Sequence, residues 1–364
     1  MRLHKLEKIL EEKNVKCAVI LNTATIYYLT GYDYITTDFG NSVALVYCNG
    51  EATIITPLLE KNRIESLINT PDLGILVYST YADSEGVFKG GLGNAIVEKI
   101  KQSNKIAIDL QNVTLQLYNS LKDKFELIDI SKELNLMRAI KEPEEIELIK
   151  RAGEITASAM KIANEKIQES KISEKQLAGL IDLTMRNEGA EDYAFPSIVA
   201  FGENSAFPHH VPTDRIINDG EDAVIDIGAR YNKYCFDSTR TFIKGHISSE
   251  LKKLYEIVLE AQLSAIDVAR DGVKASEVDL AARRVIEKYG YGKYFIHSTG
   301  HGVGLEVHEY PPVSPNSNAE LKENMVITVE PGVYIKGKYG IRIEDTIVIT
   351  KGKPVVFETI YKYL

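Results

Sequence analysis

The chain has 364 residues, 44% of them apolar and 26% charged, and carries a formal net charge of −9. That length allows two domains with a core each, and the composition is that of a soluble globular protein. The acidic balance offers no footprint for nucleic acid, and no apolar run reaches the about 18 residues that a membrane-spanning helix needs.

The first residues, MRLHKLEKIL, scatter charge along the segment and leave no apolar stretch suited to a signal peptide. The three cysteines, Cys17, Cys48 and Cys235, lie far apart without a CxxC spacing. This argues against a disulfide framework and a thiolate zinc site, and it fits a reducing cytoplasm.

Residues 1–136 alternate β-rich and helical runs. Cys17–Leu21, Ser42–Tyr47, Ala52–Thr56, Ile75–Tyr78 and Ile106–Asp109 are predicted strands, rich in Val, Ile and Tyr between Gly, Pro or Asn. Leu3–Lys13, Glu60–Ile68, Asn94–Lys101 and Thr114–Lys122 are predicted helices. Charge blocks at Lys5–Lys13 and Glu142–Glu147 fall at helical spacing and read as solvated helix faces. The Gly90-Gly91-Leu92-Gly93 stretch is too loose for a nucleotide fingerprint and reads as a flexible turn. The result is an N-terminal α/β domain with no phosphate loop.

The second domain, residues 137–364, opens near Arg138. A long helix begins in KEPEEIELIKRA, with Pro143 in its first turn and acids at its positive end. The next starts at Ser173, where Gln176 completes a capping box, and stops near Gly189. One pattern then occurs twice. An extended segment with His209 leads into AVIDIGA and YCFDSTRTF, each holding an aspartate. Two helices, Ser249–Ala269 and Ser276–Lys288, end at Gly290; a segment with His301 and His308 then leads into MVITVEPGVYI and GIRIEDTIVI, each holding a glutamate. This repetition predicts two helix–sheet halves facing one central site.

Strands of Val, Ile and Thr have no structural use for inward carboxylates, which are costly out of water without a cation or hydrogen bonds. Four such segments carry one each: Asp226, Asp237, Glu330 and Glu344. The turn-like runs Gly228–Lys233 and Lys336–Gly340 set each pair across a hairpin, and glycines flank His301 so that its backbone can approach a crowded site. Acids with one imidazole suit two divalent cations sharing a hydroxide.

The segments PHHVP, VIDIGARYNKYCFDSTRT, HSTGHGVGLEVHEYPP, NMVITVEPGVY and GIRIEDT resemble, in order, those of the pita-bread metallopeptidases: methionine aminopeptidase, aminopeptidase P and Xaa-Pro dipeptidase (prolidase). They span residues 208–346, and IKEPEEIELIKRA carries the likeness back to 140. The resemblance implies a creatinase-like N-terminal domain before a duplicated pita-bread catalytic domain. It implies that Asp226 chelates one metal, Asp237 and Glu344 bridge both, and His301 binds the second. Glu330 would be a ligand and the general base, later the acid, beside a bridging hydroxide. His209 and His308 would contact substrate, and His210 would be accessory. Arg342, two residues from Glu344 on one strand face, would steady that carboxylate or meet a substrate charge. Cys235 reads as buried and inert, Tyr234 as site border or core; His4, His246 and His297 receive no role.

A methionine aminopeptidase resembles the catalytic half alone, and creatinase lacks the ligand set, whereas ATIYYLTGY (24–32) resembles the proline-specific members. The expectation is a cytoplasmic homodimeric prolidase with two divalent ions, Mn or Co before Zn or Fe, acting on small peptides with proline second. In such a dimer one subunit's N-terminal domain would help close its partner's site. Many prolidases place an arginine just after the His-Glu motif; here His308-Glu309-Tyr310-Pro311-Pro312 has none. Aminopeptidase P is therefore the alternative, and a non-catalytic binding protein of the same fold the remote one.

Overall fold

The computed structural model describes residues 2–33, 41–67, 72–81, 85–101, 103–169, 171–357 and 362. The chain divides into two units, Met1–Arg138 and Ala139–Leu364.

In the first unit, α1 (Leu3–Lys13) buries Leu6, Ile9 and Leu10, a helical stripe, and ends where Asn14 turns left-handed at φ 51°. β1 (Cys17–Ile20) is buried throughout. The ATIYYLT run then forms α2 (Thr23–Thr30), because Asn22 Oδ1 accepts from Thr25 N at 2.8 Å and caps it. There follow β2 (Ala44–Cys48), β3 (Glu51–Pro57), α3 (Lys61–Leu67), β4 (Leu73–Ser79), β5 (Val87–Lys89), α4 (Leu92–Lys99), β6 (Lys105–Ile108), α5 (Leu115–Leu121), β7 (Glu126–Asp129) and α6 (Ser131–Ala139). The sheet order is β5-β4-β3-β2-β1-β6-β7, an antiparallel β1–β2–β3 core with parallel strands on both flanks. Val19, Val46, Ile96 and Ile106 meet in its apolar core.

Three expectations change here. Leu92 and Gly93 belong to α4, with Gly91 as its cap, rather than to a flexible turn. The helix expected from Glu60 starts at Lys61, Glu60 closing the 3₁₀ turn before it, and Ile68 lies outside the described residues. Cys17 and Cys48 form a disulfide. The β1–β2 register sets them directly opposite, a pairing that a separation of 31 residues conceals, so the cysteine argument for a reducing compartment no longer holds.

The second unit begins with α7 (Pro143–Glu169) and α8 (Glu174–Asn187), the latter opened by the Ser173–Gln176 capping box. β8 (Asp192–Tyr193), β9 (Ile198–Phe201), β10 (Asp222–Ile227), β11 (Ala229–Tyr231), β12 (Tyr234–Cys235) and β13 (Ser238–Ile243) complete one half. The other holds α9 (Ser249–Val268), α10 (Ala275–Lys288), β14 (Gly300–Gly302), β15 (Glu309–Val313), β16 (Val326–Val329), β17 (Gly332–Ile335), β18 (Tyr339–Arg342), β19 (Asp345–Val348) and β20 (Val355–Val356). Each half nests one antiparallel pair inside another: β10 with β13 around β11 with β12, and β16 with β19 around β17 with β18. The long β-runs seen in the sequence are thus broken strands that leave one sheet and enter another.

Each half has its own apolar core. Ile155, Met160, Leu177 and Ile181 pack on Val199, Phe201, Ile225 and Ile227. Leu254, Val258, Val278 and Ile286 pack with Ile327, Val329 and Ile347. At about 1.5–3 kcal/mol for each such side chain, these cores stabilise the halves separately. The seam between the halves is polar: Glu344 N donates to Thr239 O at 3.1 Å and Thr241 Oγ1 to Arg342 O at 2.9 Å.

The turn out of β10 depends on Gly228, where a Cβ would stand 1.9 Å from Phe236 O. Backbone cannot yield as a flexible side chain does. Gly228→Ala should therefore lower stability by about 3 kcal/mol or more, read from denaturant midpoints; an unchanged midpoint would show that the two strands can separate there.

Candidate active site

Three of the four acids stand where the strands break, and the fourth sits just inside one. Asp226 is near the end of β10; Asp237 lies between β12 and β13, Glu330 between β16 and β17, and Glu344 between β18 and β19. Side chains at such junctions leave the sheet faces and turn toward the seam between the halves. His301 is centred in β14 between Gly300 and Gly302, where added Cβ atoms would lie 2.1 Å from Thr328 O and 2.3 Å from Tyr310 O. Only glycine allows that approach.

Ligand-capable atoms of Asp237, His301 and Glu344 lie within 4.8 Å of one another. His301 Nε2 is 3.4 Å from Glu330 Oε1 and 3.5 Å from Asp237 Oδ2, longer than ordinary N–H···O bonds. His301 Nδ1 donates to Gly302 O at 3.1 Å, which leaves Nε2 as the nitrogen that could hold a cation. Glu344 Oε2 accepts from Thr239 Oγ1 at 2.7 Å, and its backbone carbonyl accepts from Arg240, which also pairs with Asp345 at 2.6 Å.

Burial pushes Asp237 well above the usual carboxylate range, and the charges of Glu344, Asp226 and Glu330 push it further. Glu344 is raised well above its ordinary value for the same reasons, burial first. Burial also opposes charge on Glu330, but His301, His297 and Arg342 outweigh it and hold this carboxyl below its ordinary value. The centre therefore cannot carry its full negative charge unaided. Asp226 Oδ1, Asp237 Oδ1 and Glu344 Oε1 are buried without any hydrogen-bond partner. Orphaned carboxylate oxygens beside an imidazole nitrogen fit divalent cations.

The remaining sequence candidates fall around this cluster. His308 packs edge-on against His301 with ring centroids 4.3 Å apart; burial and the nearby His301 and His209 lower its pKa. His209 is exposed, whereas His210 Nε2 is 2.8 Å from Glu174 Oε2. Arg342, only 3% exposed, reaches Asp226 rather than Glu344: its NH2 donates to Asp226 Oδ2 at 2.6 Å, its NH1 to Tyr334 Oη at 2.8 Å and its Nε to Thr239 Oγ1 at 3.0 Å. Cys235 is buried, its thiol pushed up to about 12 by desolvation. Tyr234 is core, donating to Glu145 at 2.8 Å. Glu309 pairs with Lys141 at 3.1 Å, so Lys141 braces the stretch in which the arginine is missing.

Sequence reasoning passed over the residues behind the cluster. His297 shares a hydrogen bond with Tyr334 Oη at 2.9 Å, and Tyr334 joins it to Arg342 and so to Asp226. Asp279, fully buried on α10, accepts from Thr299 N at 3.0 Å and from Arg283 Nε at 2.9 Å. Its one sequence signal is an acid within the apolar stripe of Val278, Ala282 and Ile286.

A carboxylate–imidazole cluster of this kind on a duplicated helix–sheet domain belongs to metal-dependent hydrolases. The chain is a member of metallopeptidase family M24, whose profile matches residues 147–351, and residues 2–140 match the creatinase/prolidase N-terminal domain. An Xaa-Pro dipeptidase of Pyrococcus furiosus is 39% identical over 96% of this chain and 95% of its own length. The structure of an Xaa-Pro dipeptidase from Bacillus anthracis superposes with a TM-score of 0.88 at 30% identity, covering 100% of this chain and 98% of that one. That of an X-Pro aminopeptidase from Thermotoga maritima gives 0.86 at 32% identity, covering 100% and 99%.

If cations fill the orphaned positions, chelator-treated protein should gain stability on adding Mn. An ion at 100 times its dissociation constant adds about 2.7 kcal/mol, a rise in melting temperature on the order of 5 °C. Asp237→Asn and Glu344→Gln should lose most of that response in a thermal-shift titration, and an undiminished response in both would remove them from the ligand set.

Proposed function

We propose that the chain is a two-metal Xaa-Pro dipeptidase that cleaves the bond preceding proline in small peptides. The observation that carries this reading is that Asp237 and Glu344, each with a partnerless buried carboxylate oxygen, gather at His301, in a chain 39% identical to an Xaa-Pro dipeptidase. Two bound divalent ions would lower the pKa of water at the centre, so that a hydroxide nucleophile is present near neutral pH.

The residues take the following parts. Asp226, Asp237, Glu344 and, through Nε2, His301 would hold the ions. Glu330, half-buried beside His301, is a ligand that also accepts the proton of the attacking water. It returns that proton to the proline nitrogen, which leaves as a secondary amine. His209 and His308 face the substrate and donate to the oxyanion that develops on the scissile carbonyl. Arg342 orients Asp226, since its donors are directed to Asp226, Tyr334 and Thr239. Carboxylates with one imidazole suit Mn or Co, and also Fe or Zn. The same reading makes the protein a homodimer, its assembly measurable by sedimentation.

A second reading, removal of the first residue from longer Xaa-Pro peptides, is favoured by the absence of an arginine after His308-Glu309. After chelation and return of Mn or Co, hydrolysis of Ala-Pro but not Ala-Pro-Ala supports the dipeptidase, and cleavage of the tripeptide supports the aminopeptidase. Hydrolysis of neither leaves a binding protein of the same fold. Asp237→Ala and Glu344→Ala should each reduce turnover to background, and normal turnover in either rejects the two-metal scheme. His209→Ala should cost about 10²–10³-fold and His210→Ala far less; the reverse order would shift the histidine assignment by one residue.

A further inference from the structure

We propose that Glu174 is a positioning residue for His209: it clasps both ends of segment 201–213 and so fixes the backbone from which that histidine faces substrate. This rests on the substrate role given to His209 above.

Glu174 is the first residue of α8 and is fully buried. Its Oε1 accepts from Phe201 N at 2.8 Å and Asn204 Nδ2 at 2.9 Å. Its Oε2 accepts from His210 Nε2 at 2.8 Å, Thr213 N at 2.8 Å and Thr213 Oγ1 at 2.6 Å. An ionised carboxylate offers about four lone-pair sites, so five donors saturate it. Glu174 therefore has no capacity left to bind a metal or exchange protons with substrate. Because the carboxylate only accepts, His210 Nε2 is the donor in that bond, which fixes the orientation of the ring.

One oxygen holds the start of the segment, where β9 ends, and the other holds its far end. Between them Ser205 Oγ accepts from Gly340 N at 2.5 Å, and Pro208 O accepts from Arg342 NH1 at 3.4 Å. Both sequence neighbours of His209 are thus tied down, Pro208 to the strand of Arg342 and His210 to Glu174. His209 itself is exposed. A rigid backbone carrying an uncovered imidazole is the arrangement that a substrate-orienting group requires.

The other half repeats the device. Asp279, also fully buried and also on the second helix of its half, accepts from Thr299 N at 3.0 Å and Thr299 Oγ1 at 2.9 Å, two residues before His301. In both halves a helix carboxylate without solvent contact fixes the backbone of the histidine segment. A surface acid at a helix start would need no such set of partners.

The test is a double-mutant cycle on Mn-loaded full-length enzyme, with kcat and KM measured on whichever of Ala-Pro or Ala-Pro-Ala it cleaves. Glu174→Gln places an amide N–H₂ against donors that need acceptors. It should lower kcat/KM about 10- to 100-fold while leaving Mn affinity, read by calorimetry, unchanged. In a His209→Ala background the same substitution should change kcat/KM less than about 2-fold, because the group it positions is gone. Thr213→Val, which deletes the Oγ1 bond to Glu174 and the one that Oγ1 accepts from Arg215 N at 3.2 Å, should act in the same direction by a few fold and carries the cycle if Glu174→Gln does not fold. Full additivity with His209→Ala, or a loss that merely follows weaker Mn binding, overturns the proposal. If His209→Ala impairs turnover while Glu174→Gln and Thr213→Val do not, the positioning role alone falls. If His209→Ala is itself neutral, the substrate role of His209 falls and the proposal with it.

Discussion

Four carboxylates and one imidazole face one another with almost no water to share their charge. Asp226, Asp237 and Glu344 are each 9% exposed or less, and three of their oxygens have no hydrogen-bond partner. In a low dielectric, neighbouring like charges at a few ångströms repel by several kcal/mol at an effective dielectric near 20. Nothing in the two apolar cores compensates that directly. The surrounding scaffold reads as a device for holding these groups together against their repulsion until cations arrive.

That constraint explains why the strands break where they do. An unbroken β-run would direct alternate side chains to the two faces of one sheet and bury the acids among aliphatic neighbours. Transfer of the chain from an outer pair to an inner hairpin lets Asp237, Glu330 and Glu344 sit at the corners. The corners need backbone fixed by contacts other than a ladder. Arg240 supplies them for Glu344 through the carbonyls of Glu344 and Thr239 and the carboxylate of Asp345. Thr346 Oγ1 does so for Asp237, donating to its carbonyl at 2.8 Å. Removing such a donor would cost more than one hydrogen bond, because a misplaced ligand leaves a buried charge uncompensated.

How much of this was legible follows from which features are local. The Ser173–Gln176 capping box, the α7 start at Pro143 and the helix stop before Gly290 depend on neighbours within one turn, and the sequence shows them directly. The acids and His301 were legible because charged or glycine-flanked residues interrupt β-rich runs. The Cys17–Cys48 pair was not, since register is set by a whole sheet, nor was the division of each β-run into two strands. Arg342 shows the limit of alternation: Glu344 is its same-face neighbour in an extended strand, yet the break at Ile343–Glu344 sends its guanidinium to Asp226. Glu174 and Asp279 look like ordinary helix acids until their burial and partners are seen together.

Charge accounting bears on how many ions the centre takes. Asp226, Asp237, Glu330 and Glu344 contribute four negative charges, and Arg342, paired to Asp226, returns one positive charge. His301, with Nδ1 donating to a backbone carbonyl, would contribute none once Nε2 held a cation. A deficit of three remains. One divalent ion leaves the centre negative, and more so once hydroxide is added. Two divalent ions with one hydroxide would cancel the deficit. Because uncompensated charge is what the burial of Asp237 and Glu344 penalises, neutrality favours the two-ion occupancy over the one-ion alternative. It also gives Arg342 a reason to be arginine rather than lysine: a guanidinium stays charged when fully desolvated, and its fork can serve Asp226, Tyr334 and Thr239 at once.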